Sequence, residues 1–151
     1  MKLVEVTDLT THVDDRGNLT ELLRTDDDDF TVFGQVYMVK SRSKGTIRAF
    51  HKHEEMWDWF TIIKGSAKFR FYQKNEVDVC VQEVVLSSDK LQRIAVPPGI
   101  YHGWMALEDD TILMSTGSEL YMGENHDGEL DEERIPWDSF DGAEQWEVKN
   151  K

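Results

Sequence analysis

Cysteine is almost absent from this chain of 151 residues, and Cys80 stands alone. An intramolecular disulfide is therefore excluded, and a reducing, cytoplasmic setting is expected. Flanked by Val79 and Val81, Cys80 reads as a small buried hydrophobe. Long apolar runs are missing too: none approaches the roughly 20 residues that a membrane helix needs. The N-terminal Met1-Lys2-Leu3-Val4-Glu5-Val6 is too short and too charged to read as a signal peptide. Cations are in deficit, with a net charge of −13. That balance argues against a nucleic-acid partner, which needs clustered positive charge. The few cations do gather at Arg42, Lys44, Arg48 and Lys52, where they suit an anionic small molecule. The acidic run Asp26 to Asp29 reads as a solvated loop. Linkers, internal repeats and low-complexity segments are also lacking.

Long helical periodicity is absent as well. Short β-type runs separated by turn residues predict a sandwich or barrel. The expected strands are Thr31 to Lys40, Thr46 to Phe50, Trp59 to Ile63, Ala67 to Tyr72, Val79 to Leu86, Arg93 to Val96 and Thr111 to Thr116. Lys64-Gly65 reads as a turn, and Lys68 to Phe71 alternates as a half-buried strand should. Glu129 to Arg134 is the one plausible helical turn, ended by Pro136. At 39% hydrophobic and 31% charged, the composition fits one soluble domain over 1–151. Most of the five tryptophans and seven phenylalanines belong in the core. Trp57, Trp59 and Trp104 lie beside the histidines and are candidates for stacking on a ligand.

The histidines are the main signal. Gly45, His51, His53, Asp58 and Gly65 are spaced as G-x5-H-x-H-x4-D-x6-G, and Pro97 to His102 reads P-x-G-x2-H. In a strand, positions i and i+2 share a face, so His51 and His53 project together. A single histidine is usually structural or exposed. An H-x-H pair followed by a third histidine after a turn is a site. His12 and His126 fit no motif and are expected to be exposed. Asp58 reads either as a carboxylate at a strand end on the surface or as a metal ligand.

These two segments resemble the paired motifs of the cupin superfamily, with Asp58 where glutamate is usual and Ala106 where asparagine is usual. The resemblance implies an all-β double-stranded β-helix, the cupin jelly-roll barrel. Further pieces narrow it. Asp14 to Glu21 is similar to the D-x-R-G-x-L-x-E opening of the nucleotide-sugar cupins. Those are the dTDP-4-dehydrorhamnose 3,5-epimerases and the dTDP-4-keto-6-deoxyhexose 3,4-ketoisomerases. Ser41 to His51 resembles the epimerase stretch S-x-S-K-G-x-x-R-G-L-H, with Ala49 for glycine. Pro98 to Trp104 and Ile135 to Asp138 resemble later epimerase segments, whereas His51-Lys52-His53 is nearer the ketoisomerase H-A-H. The motifs run in order from about residue 14 to residue 138 and are specific as a set.

The resemblance implies roles. His51 matches the general base, Arg48 the arginine that binds the diphosphate, and His102 a pocket histidine. His53, Lys44, Arg42, Tyr37 and Trp104 are candidate substrate-binding residues, and Tyr121 is the candidate acid beside Tyr37 and Tyr101. Chemistry agrees with these types. Abstracting a proton next to a 4-keto group needs a base that titrates near neutrality. The new enolate oxygen needs a cation or hydroxyl donor, and an arginine fork suits diphosphate oxygens. Departures from the epimerases stand beside these matches. Ile112 to Thr116 carries no tyrosine, Asp58 replaces a lysine, and the C-terminal extension with its aspartate is not seen. A single epimerisation or a ketoisomerisation is therefore expected over a double epimerisation.

The preferred reading is a cofactor-free isomerase acting on a nucleotide-linked sugar, homodimeric by analogy with the families it resembles. One alternative is a metal cupin, an oxygenase, isomerase or lyase. There His51, His53, Asp58 and His102 would hold Fe(II), Mn(II), Ni(II) or Zn(II) as a divalent transition metal. Another is a non-catalytic barrel that binds a sugar nucleotide.

Overall fold

The computed structural model describes residues 2–74, 79–120, 124, 126–140 and 146; of residues 79 and 80 it describes the backbone alone. Among these, the strands in chain order are β1 (Glu5–Asp8), β2 (Thr11–Asp14), β3 (Gly17–Thr20), β4 (Gln35–Ser41), β5 (Ile47–Lys52) and β6 (Asp58–Lys64). They continue as β7 (Ser66–Lys74), β8 (Val79–Ser87), β9 (Gln92–Val96), β10 (Tyr101–Ala106), β11 (Thr111–Gly117) and β12 (Glu133–Arg134). The described residues hold no α-helix, and no helix there is long and apolar enough to cross a membrane.

Two antiparallel sheets face each other. One has the order β1-β9-β6-β11-β4 and the other β12-β5-β10-β7-β8, while β2 and β3 form a separate hairpin. From β4 to β7 and from β8 to β11 the chain steps from one sheet to the other, as in a jelly roll. The all-β expectation holds, and each expected strand exists with ends displaced by a few residues. The reading missed β1, β2, β3, β10 and β12. β10 starts at the end of the Pro97 to His102 motif and runs to Ala106, and the glycine at 103 weakens the strand pattern.

The inner faces make the main core from Phe60, Ile62, Phe69, Phe71, Leu86, Ile94, Val96 and Leu113, all nearly inaccessible. Burying each such side chain contributes about 1.5–3 kcal/mol. A second cluster of Phe50, Tyr72, Met105 and Trp146 covers the outer face of the second sheet, with Ile135 and Phe140 packed against it. This cover explains one departure. β7 was expected to be half-buried, yet Lys68 and Arg70 on its outer side are buried at 5% and 1% exposure. The Arg70 guanidinium lies 5.3 Å from the Tyr72 ring centre and 5.9 Å from that of Trp146.

Two other expectations are corrected. Glu129 to Arg134 is no helical turn: Glu133 and Arg134 pair with Lys52 and His51 as a strand. The open edge of β5 captures this segment, because its free N–H and C=O groups need partners. The run Asp26 to Asp29 is not simply solvated. Asp27 and Asp29 both bind buried Arg93, at 2.6 Å and 2.5 Å, and the Asp29 carbonyl accepts from the Trp59 indole at 3.2 Å. This loop seals the outer side of the first sheet. Arg93→Ala is expected to cost about 3 kcal/mol, because it strands two sheltered carboxylates. Urea denaturation checks this, and a loss under 1 kcal/mol would reduce the pairs to surface contacts.

Candidate active site

The site lies between the sheets, and its second-sheet wall depends on a slip in strand pairing. His102 pairs with His51, but Trp104 pairs with Arg48, so β5 carries one residue more than β10 between those points. In a regular strand Arg48 and His51, three apart, would point to opposite faces. The bulge turns both toward the cavity. Gly103 makes the slip feasible, since a Cβ there would lie 2.2 Å from the Ala49 Cβ. The resulting cavity is about 750 Å³. The histidines, Arg48, Trp104, Arg134, Ile135 and Glu132 line it on one side, and Gln35, Tyr37, Val39, Phe60 and Leu113 on the other.

The three histidines are held differently. His51 and His102 face each other across β5 and β10, with ring centres 4.1 Å apart. His53 follows the end of β5 and is 5% exposed. Its Nδ1 lies 2.5 Å from the Asp131 carbonyl. The Asp131 carboxylate accepts backbone N–H bonds from Glu54, Glu55 and Met56, at 2.8, 3.2 and 3.0 Å. One residue thus clamps both the imidazole and the turn that follows it. The His102 Nδ1 donates to the Ile100 carbonyl at 2.9 Å. These carbonyl partners put the ring protons of His53 and His102 on Nδ1 and leave each Nε2 as a lone pair.

Both lone pairs face Asp58. Its Oδ2 lies 3.6 Å from the His53 Nε2 and 3.4 Å from the His102 Nε2. Asp58 is 1% exposed, so the surface-carboxylate reading is overturned: β6 turns this end inward. Neither Asp58 oxygen has a hydrogen-bond partner, and neither does the His102 Nε2. Acceptors facing acceptors in a buried cluster need a proton or a cation between them. Ligand atoms of His51, His53, Asp58 and His102 all lie within 4.8 Å of one another. The donor set therefore fits a divalent transition metal, with carbonyl-oriented imidazoles and a carboxylate.

His51 has another character. Burial above all, then the neighbouring His102, His53 and Arg134, push its pKa well below the usual 6.5. Arg134 sits opposite His51 on β12. Its Nε donates to Glu132 at 3.0 Å and its second amino group at 3.1 Å. The sequence reading missed Arg134, Glu132 and Asp131, which lie in an acidic stretch with no motif.

The other sequence candidates separate cleanly. Tyr37, Arg48 and Trp104 line the cavity. Arg42 and Lys44 do not: both are exposed, and their backbone bonds to residues 109 and 110 hold them on the loop before β5. Tyr101 points outward and donates to Glu133 at 2.6 Å. Trp57 and Trp59 stack on each other at 6.3 Å, outside the cavity. Tyr121 lies outside the described residues. His12 and His126 are exposed, as expected.

Comparison with known proteins gives a consistent picture. The model of the family "Polysaccharide biosynthesis C-terminal domain" matches residues 12–128. A Haloferax volcanii protein named "Probable low-salt glycan biosynthesis epimerase Agl13" is 32% identical, over 97% of this chain and 94% of its own length. The Bacillus subtilis spore coat polysaccharide biosynthesis protein SpsL is 34% identical, over 97% of this chain and 96% of its own. Among solved structures, a dTDP sugar isomerase from Desulfovibrio desulfuricans G20 superposes with a TM-score of 0.76 at 21% identity. That match covers 90% of this chain and 85% of the other. The dTDP sugar isomerase thus shares the fold of this chain, and the chain belongs to the polysaccharide biosynthesis C-terminal domain family.

Proposed function

We propose that this protein is an isomerase that epimerises or ketoisomerises a 4-keto sugar bound to a nucleoside diphosphate, with His51 as the base. The observation that carries this reading is His51 itself. It is a cavity-lining imidazole whose pKa is pushed well below 6.5 by burial above all, then by His102, His53 and Arg134. A neutral imidazole accepts a proton from the carbon next to the 4-keto group, and the electron pair moves onto the carbonyl oxygen as an enolate. Reprotonation on the other face inverts that carbon; reprotonation of the former carbonyl carbon, with the neighbouring hydroxyl proton passing to its oxygen, moves the carbonyl. Arg48 supplies the cation for the diphosphate, its guanidinium resting lightly on the Ser41 hydroxyl and the Lys40 carbonyl at 3.4 Å. Bonds that long leave the fork ready to turn to phosphate oxygens. Tyr37 is the described tyrosine within the cavity and takes the role of the proton donor.

In deuterated water the protein should incorporate deuterium into dTDP-4-keto-6-deoxyglucose or its UDP-linked 2-acetamido counterpart. His51→Asn should lose this by at least about 100-fold with its circular dichroism unchanged. Full exchange in that variant would sink the role of His51. The pH profile follows from the depressed pKa. The base works unprotonated, so activity falls only as pH drops through its folded value. The acid limb of kcat/KM should therefore lie below 6.5.

A second reading rests on the unpartnered Asp58 oxygens facing two oriented imidazoles. A divalent transition metal held by His51, His53, Asp58 and His102 would polarise a carbonyl oxygen as a Lewis acid. Elemental analysis of untagged protein decides between the two. About one metal per chain, lost with His53→Ala, supports the metal reading; no stoichiometric metal removes it.

We also infer that the working unit is a homodimer. Val36 and Met38 on the edge strand β4 are 55% and 62% exposed, and Val13 and Leu19 on the hairpin are 78% and 61% exposed. Apolar groups along open strand edges call for cover. Sedimentation equilibrium at micromolar concentration should return twice the chain mass, and a monomer there would overturn this part.

A further inference from the structure

The floor of the cavity opposite the histidines carries polar groups that no role yet uses. In the first sheet Asp58 pairs with Gly117, and Gly117 with Gln35. Residues directly opposite on neighbouring strands share a face, and strands lie about 4.8 Å apart. Asp58 and Gln35 therefore rise from the same side of the sheet, about 10 Å apart by that spacing, with the Met56 sulfur over Gly117 between them. The next row on that face is Phe60, Ser115 and Tyr37. Here burial and hydrogen bonding disagree. The Gln35 Nε2 is buried without a hydrogen-bond partner, and so is the Ser115 Oγ. Ser115 is 0% exposed. A buried amide left unpaired costs about 1–3 kcal/mol. Such a cost persists where a ligand repays it.

Gln35 lines the cavity beside Tyr37 and faces the wall that holds His51 and Arg48. Its amide is a neutral, charge-independent donor of the kind that stabilises developing oxyanions. The lysine of the resembled epimerases is absent, and the buried Asp58 carboxylate cannot replace it as a donor to an anion. Arg134 is already engaged by Glu132. We propose that Gln35 is the residue that receives the 4-keto oxygen, its Nε2–H donating to that oxygen as it becomes an enolate. The sugar ring then lies in the cavity between Gln35 and the wall of His51 and Arg48. No bond is made to the protein: the proton goes to His51, the electron pair to the oxygen, and the amide only hydrogen-bonds it. This inference rests on the isomerase reading above.

The test is solvent deuterium incorporation by the full chain into the same two sugar nucleotides, with dTDP binding followed by calorimetry. Gln35→Leu removes the donor at similar size. It should lower kcat for exchange by about 100- to 1,000-fold, the range seen when one oxyanion donor is lost. KM and dTDP affinity should stay within about threefold, since the donor acts mainly in the transition state. Gln35→Asn, a shorter amide, should recover part of the rate. A merely structural Gln35 would leave kcat intact, or would lower the melting temperature and dTDP affinity together in both variants. Either result overturns the proposal while leaving His51 its role. If the unaltered protein exchanges neither sugar, the isomerase reading falls and the Gln35 role falls with it.

Discussion

A one-residue slip between β5 and β10 is the constraint on which the rest of the site depends. Without it, Arg48 and His51 would stand on opposite faces, and a guanidinium and an imidazole could not share one cavity. The slip is possible because two backbones approach closely where Gly103 meets Ala49. Any side chain at 103 would drive the strands apart and re-register the wall. A turn motif, a small residue and a bulge thus act together, though they lie about fifty residues apart in the chain.

The segment after residue 130 completes the site in three ways. Asp131 holds the turn after His53, β12 pairs with β5 beside His51, and Ile135 exchanges backbone hydrogen bonds with Phe50 at 3.0 Å in each direction. Around it, Lys52 bridges Glu54 at 2.6 Å and Glu133 at 3.0 Å. This strap sets Arg134 opposite His51 and adds to the burial that lowers the His51 pKa. Burial remains the larger cause, since the Arg134 side chain is 64% exposed.

The interior is therefore polarised by wall. One sheet contributes imidazoles and guanidiniums; the other contributes Gln35, Tyr37, Ser115 and the carboxylate Asp58. Relative to the epimerases this chain resembles, the most consequential exchange is a lysine for Asp58. It removes a cation from the floor and places an anion against two histidines. The same exchange makes the cluster fit a metal and leaves the unpartnered Gln35 amide as a neutral donor on that wall, so the two proposed readings share one physical origin.

Local chemistry determined much of this in the sequence itself. The H-x-H spacing put His51 and His53 together, the P-x-G-x2-H turn brought His102, and period-two runs gave the strands, since these patterns depend only on near neighbours. The same locality misled elsewhere. Glu129 to Arg134 carries a helical composition, but an unpaired strand edge captured it. Asp27 and Asp29 read as solvated until Arg93 arrived from the far side of the sheet. Arg42 and Lys44 are close to Arg48 in sequence yet sit on the loop, because only the bulge turns Arg48 inward. Tertiary structure alone decided the burial of Asp58, the approach of Arg134 to His51 and the row of Asp58, Gly117 and Gln35. Each depends on the register of strands distant in the chain, and register is set by the packing of the whole core.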